Sequence, residues 1–139
     1  MIEVKKNNVL FNEEVNLCLN SIIKNKSFAN GYIFYGAEGV GKKQTALFFI
    51  EEILRQFSIS GNIEGKITNN NHPDFLIIEP TTLLEVKKSE INNIEKKTKN
   101  GSEMIKIAQI RNIKNFLGQQ SINSEKKIVL INNAHLLNE

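Results

Sequence analysis

The chain has one cysteine, almost no charge imbalance and no apolar run long enough to span a bilayer. Cys18 alone excludes an internal disulfide and any multi-cysteine zinc site. It falls in the stripe Val15, Cys18, Leu19, Ile22 and Ile23, so it reads as a small buried hydrophobe. The net charge of +3 comes from lysines scattered along the chain. That suits solubility, and no basic stripe with interleaved aromatics suggests a reader of DNA. MIEVKKNNV lacks the apolar segment of a secretory leader, so the expectation is a cytoplasmic protein without a membrane partner. A bias toward Asn, Lys and Ile, of the kind A+T-rich coding produces, means that no single Asn or Lys carries much weight.

What is present alternates between helix and strand signals, over a length that fits one domain. Asn12 with Glu13 and Glu14 caps a helical stripe that runs to Ile23. YIFY (32–35) reads as a buried strand ending at Gly36. From Lys42 to about Phe57, Ala46, Phe49, Ile50, Ile53, Leu54 and Phe57 share a broad helix face. Residues 58–71 read as a loop, and FLII (75–78) as a second strand stopped by Pro80. Residues 81–102 alternate charge with little core pattern and read as a mobile insertion. Ala108 to Leu117 offers Ile110, Ile113, Phe116 and Leu117 as a helix face with Gly118 as its stop, and Ile128–Ile131 is a third strand. The order α-β-α-β-α-β predicts a parallel sheet with helices on its faces.

Between the first strand and the clearest helix lies GAEGVGKK. The phosphate-binding pattern G-x-x-x-x-G-K-[ST] is met by Gly36, Gly41 and Lys42 and broken at Lys43. The candidate nucleotide-binding residues are therefore Gly36, Gly39, Val40, Gly41, Lys42 and Lys43. Glycines there let backbone N–H groups turn onto phosphate oxygens, and the helix N-terminus adds its dipole. Lys42 would reach the β- and γ-phosphates. An ammonium at Lys43, where a hydroxyl should hold Mg²⁺, has no lone pair to offer. Thr45 lies two residues further on, toward the opposite side of the helix. The second half of such a site is an apolar strand ending in Asp-Glu. In IVLINN those positions are Asn132 and Asn133, a weak neutral ligand and a residue that cannot act as a base. Catalytic residues and a metal site are thus not expected, and neither is intrinsic ATPase activity.

With these residues in hand, the chain resembles the N-terminal AAA+ module of bacterial DNA polymerase III clamp-loader subunits. The matching stretches are ANGYIFYGAEGVGKK, HPDF (72–75), QIRNIKNFL (109–117) and EKKIVLINNAHLLN (125–138). The resemblance implies a P-loop NTPase fold with α/β/α layers and a role in DNA replication as part of a DNA-directed DNA polymerase holoenzyme. Gamma/tau subunits of that group keep both motifs and hydrolyse ATP, whereas delta-prime subunits are commonly degenerate, as here. The resemblance therefore implies a non-hydrolysing delta-prime-type subunit. Its partners would be the gamma/tau and delta subunits and, through the complex, the sliding clamp and primer-template DNA. At most weak, Mg²⁺-free binding of ATP or ADP is expected. Many relatives carry four zinc-binding cysteines before HPD; SISGNIEGKITNNN has none, so zinc is not expected. The family module also continues into further strands, a lid and a collar. Residues 1–139 are thus expected to be the N-terminal part of one AAA+ domain, with a sheet left incomplete around YIFY.

HPD is also the signature of J-domain co-chaperones, but there it joins two helices, and here FLII follows at once. His72 then reads as a loop residue at a strand entry. His135 reads as structural, and Gln109 and Arg111 as solvated helix positions. Beside the non-catalytic subunit stand two alternatives, an active P-loop ATPase such as gamma/tau and a non-functional fragment. Asn132 and Asn133 speak against the first.

Overall fold

The computed structural model describes residues 12–59, 67, 71–81 and 103–137. Of the insertion expected at 81–102, residues 82–102 lie outside this set, as does most of the loop expected at 58–71.

Helix α1 spans Glu13–Asn25, and the Asn12 side chain accepts the Glu14 N–H at 2.9 Å to cap it. Its other end closes on Lys26 in the left-handed conformation, with Lys24 in the last turn. Only Leu19 and Ile23 of the predicted stripe are buried. Cys18 is exposed, which corrects the expectation of a buried thiol. The buried contact lies on the Leu19–Ile23 edge of α1, and Cys18 falls one residue, about 100° of helix rotation, to its outer side.

Helix α2, Lys42–Gln56, carries the central apolar face and buries Ala46, Phe49, Ile50, Ile53 and Leu54. Two clusters grow from it. Ile50 and Leu54 pack with Ile67 and Phe75, against Ile77, Ile128 and Leu130. Phe49 and Ile53 pack with Leu19 and Ile23 of α1. Successive turns of α2 thus join α1 to the sheet.

Strands β1, Phe75–Ile78, and β2, Ile128–Ile131, are parallel, with Phe75 opposite Ile128 and Ile78 opposite Ile131. Their connection includes α3, Ile107–Gly118, which lies against β1. This is an α/β arrangement with a parallel sheet and three helices, compatible with a P-loop-like fold. In α3 no residue is fully buried and Leu117 is exposed; the helix stops at Gly118, as expected, and Gln119 follows in an extended conformation.

The predicted strand at 32–35 forms no ladder among the described residues. It keeps a strand's alternation nonetheless. Tyr32 and Phe34 turn onto Phe49, with ring centroids 5.0 and 6.5 Å away, while Ile33 and Tyr35 are 90% and 89% exposed. Phe34 packs on the same cluster as Ile128 of β2, but side-chain packing does not supply the backbone pairing that defines a strand.

Two contacts fix the entry of β1 and a third follows its far end. Asp74 is fully buried, and its carboxylate accepts the N–H groups of Ile122 (2.8 Å), Asn123 (2.6 Å) and Ser124 (2.8 Å). That turn leads into β2, so one side chain sets the entry of both strands. His72 is buried, accepts the Asp74 N–H at Nδ1, and offers its carbonyl to the Phe75 N–H. HPD is therefore a turn at a strand entry. At the far end, Thr81 and Met104 exchange two backbone hydrogen bonds of 3.0 and 3.3 Å.

Candidate functional site

The glycine loop opens α2. Gly36, Gly39 and Gly41 have φ of 150°, 80° and 86°, a region that side chains with a Cβ rarely adopt. Gly41 is the N-cap of α2 and supplies no side-chain cap, and the first turn carries no acidic residue. The end of the helix dipole is thus left without a built-in anion. Lys42 turns back across the loop, and its Nζ donates to the carbonyls of Gly36 (3.0 Å) and Ala37 (2.7 Å). Val40 is exposed at the loop tip. Thr45 Oγ1 donates to the Gly41 carbonyl at 2.9 Å, which occupies its hydroxyl within the helix.

Lys43 points elsewhere. Its ammonium lies 2.6 Å from Glu79 Oε1, and Asn132 Nδ2 donates to the same oxygen at 3.2 Å. Parallel pairing explains the meeting. Ile78 and Ile131 are opposite each other at the last rung, so Glu79 and Asn132 leave the sheet side by side. The start of α2 then brings Lys43 to them. The Glu79 carboxyl is held below its ordinary range, first by the Lys43 hydrogen bond; partial burial opposes this, while the Lys43 charge and the Asn132 hydrogen bond add to it.

Gln109 joins the same residue from α3. Its Nε2 donates to the Glu79 carbonyl at 2.9 Å, and its Oε1 accepts the Lys106 N–H at 2.8 Å as half of a capping box. Gln109 keeps a partly solvated helix position, as expected, and in addition bonds the strand end beside its helix. Arg111 is exposed, as expected. Asn133 adopts the left-handed conformation, φ 54°, at the start of a 3₁₀ turn spanning Ala134–Leu136. Asn tolerates that conformation better than most residues. His135 is exposed, and among the described residues no group of His, Cys, Asp or Glu could hold a metal.

The loop and the end of the sheet are thus adjacent, as in a phosphate-binding α/β site, but the donor set does not fit Mg²⁺. At position 43 stands an ammonium, at 132 an amide that donates its N–H, and the nearby carboxylate of Glu79 is bonded to both. Glu79 escaped the sequence reading because it belongs to no motif. Its signal lay in register, one residue beyond FLII as Asn132 is one residue beyond IVLI.

A family model described as DNA polymerase III, delta subunit, matches residues 11–139. The chain belongs to that family. No curated protein and no solved structure matches it. Membership makes this a DNA polymerase III clamp-loader-type chain with a related role in replication, and the family implies a place in the clamp-loader complex. No helix among its described residues is long and apolar enough to cross a membrane.

Proposed function

We propose that this clamp-loader-type chain is a delta-prime-type subunit. It works in the cytoplasm as a non-hydrolysing partner of gamma/tau and delta subunits, in loading the sliding clamp at primer-template DNA. The observation that carries the reading is the Lys43–Glu79–Asn132 contact, which joins the two positions where a metal-using loop would place its ligands. Asn133 adds support, since its left-handed backbone serves the turn after β2 and its amide cannot activate water. Gly36, Gly39, Val40, Gly41 and Lys42 retain the means to attract a phosphate group, so any ATP or ADP binding is weak and needs no Mg²⁺.

The test uses the full-length protein. Alone, with ATP and Mg²⁺, it should show no turnover above background, while a loader reconstituted with gamma/tau and delta should need it for clamp loading. Mg²⁺-dependent turnover by the isolated protein, lost on Lys42→Ala, would establish an active ATPase instead. Loading that proceeds equally well without the chain would remove its role as a partner.

A further inference from the structure

We infer that the Lys43 ammonium is a tethered cation standing in the place of a divalent metal, held there by Glu79, and that removing it opens a cation site. The inference deepens the proposed function, resting on the reading of Gly36–Lys43 as a phosphate-type loop without its metal. Three observations carry it. Lys43 occupies the position after the loop lysine, where the pattern calls for a metal-binding hydroxyl. Asn132 occupies the corresponding position at the end of the second strand. Both side chains meet on a single carboxylate oxygen, Glu79 Oε1, at 2.6 and 3.2 Å.

Glu79 is the only carboxylate in this contact, and its carbonyl, one residue beyond β1, is held by Gln109. A carboxylate so placed has one charge to neutralise. Lys43 neutralises it with a cation that cannot leave. A free divalent ion would have to compete with that fixed ammonium for the same oxygen, and like charges at contact distance oppose one another strongly. Without the Lys43 side chain, the oxygen ligands available are the Glu79 carboxylate, the Asn132 amide turned to present Oδ1, and water. One carboxylate with neutral oxygens and water is an ordinary shell for a small divalent ion. Loss of the motif hydroxyl and Asp then reads as a replacement of the metal's structural role, joining α2 to the ends of both strands.

Mn²⁺ alone is the probe, because its unpaired electrons broaden nearby amide signals in nuclear magnetic resonance spectra. In the unmodified protein, titration with Mn²⁺ should produce no saturable broadening at Glu79 and Asn132. Lys43→Ser should bind Mn²⁺ there at least about tenfold more tightly, since the opposing charge is gone and a hydroxyl is present. The double change Lys43→Ser with Glu79→Gln should abolish that gain. Saturable Mn²⁺ binding at Glu79 in the unmodified protein would overturn the inference, as would no gain in a folded Lys43→Ser variant. Should that variant not fold, Lys43→Ala takes its place, with a gain in Mn²⁺ binding that Glu79→Gln abolishes again expected and its absence again overturning the inference. None of these readouts involves ATP turnover, so the inference can fail while the functional reading stands, and the reverse.

Discussion

Replacing Asp74 by alanine removes the acceptor of three backbone N–H groups at one stroke. The carboxylate is fully buried and takes Ile122, Asn123 and Ser124 at 2.6 to 2.8 Å. Hydrogen bonds to a charged acceptor contribute roughly 1.5–3 kcal/mol each, and a buried donor left without a partner carries a further penalty. Only the Ser124 bond is fully buried; Ile122 and Asn123 are partly open to water, which can replace some of what they lose. A total loss of about 4 kcal/mol follows, a large share of the roughly 5–15 kcal/mol that holds a domain folded. Asp74→Asn should cost about half as much, because one oxygen can still serve Asn123 and Ser124 while the new NH₂ faces the Ile122 N–H. Urea unfolding at neutral pH measures both. With a slope near 2 kcal/mol/M the alanine variant's midpoint falls by about 2 M. Hydrogen exchange should quicken first at residues 122–124. A loss below about 1 kcal/mol for Asp74→Ala would refute the claim that this carboxylate organises the entry to both strands.

Other parts of the structure make independent predictions. Leu54 is fully buried between Ile50, Ile67 and Phe75, so Leu54→Ala should destabilise by about 2–5 kcal/mol in the same assay, and a smaller loss would mean that the cluster collapses to fill the space. Glu79 has a lowered carboxyl pKa in the folded state. Its stabilising contribution is therefore present above the unfolded value and fades as pH falls through the folded one. With Lys43 and Glu79 side chains 36% and 46% exposed, that contribution stays under about 1 kcal/mol and weakens with salt. Comparing Glu79→Gln with the unmodified protein across the acidic range should reveal it, and identical pH profiles would exclude it. Cys18 is exposed, so a thiol reagent should label it in the native protein without denaturant, whereas protection until unfolding would place it back in the core.

How much of this was legible beforehand depended on the range of the interaction. The apolar face of α2 is a local, helical period, and five of the six positions read from it are buried in the structure. FLII and IVLI were equally plain as short apolar runs bounded by Pro80 and by Asn132. Cys18 was misplaced because periodicity tells which residues share a side of α1, not where along and around it the neighbouring helix touches. The Asp74 clamp spans about fifty positions of sequence, and nothing in HPD alone names its partners at 122–124. The bond from Gln109 to the end of β1 is hidden for the same reason, since that partner is a carbonyl thirty residues away.

The segment at 32–35 shows what pattern and pairing each contribute. Four consecutive apolar residues predict a strand covered on both faces. Phe49 covers one face, through Tyr32 and Phe34, and that contact suffices to impose a strand's alternation. Ile33 and Tyr35 carry the other half of the pattern into solvent. Conformation therefore follows local sequence and packing here, whereas the strand itself requires a neighbour with free N–H and C=O groups. The loop's geometry does not wait for that neighbour. Gly36, Gly39 and Gly41 take their positive-φ conformations, and Lys42 closes on Gly36 and Ala37, while residues 32–35 form no ladder among the described residues. Apolar packing of Ile50 and Leu54 holds α2 to the sheet, and the exposed Lys43–Glu79 contact adds a polar tie at its start, so the residue that breaks the metal-binding pattern also reaches the residue after β1.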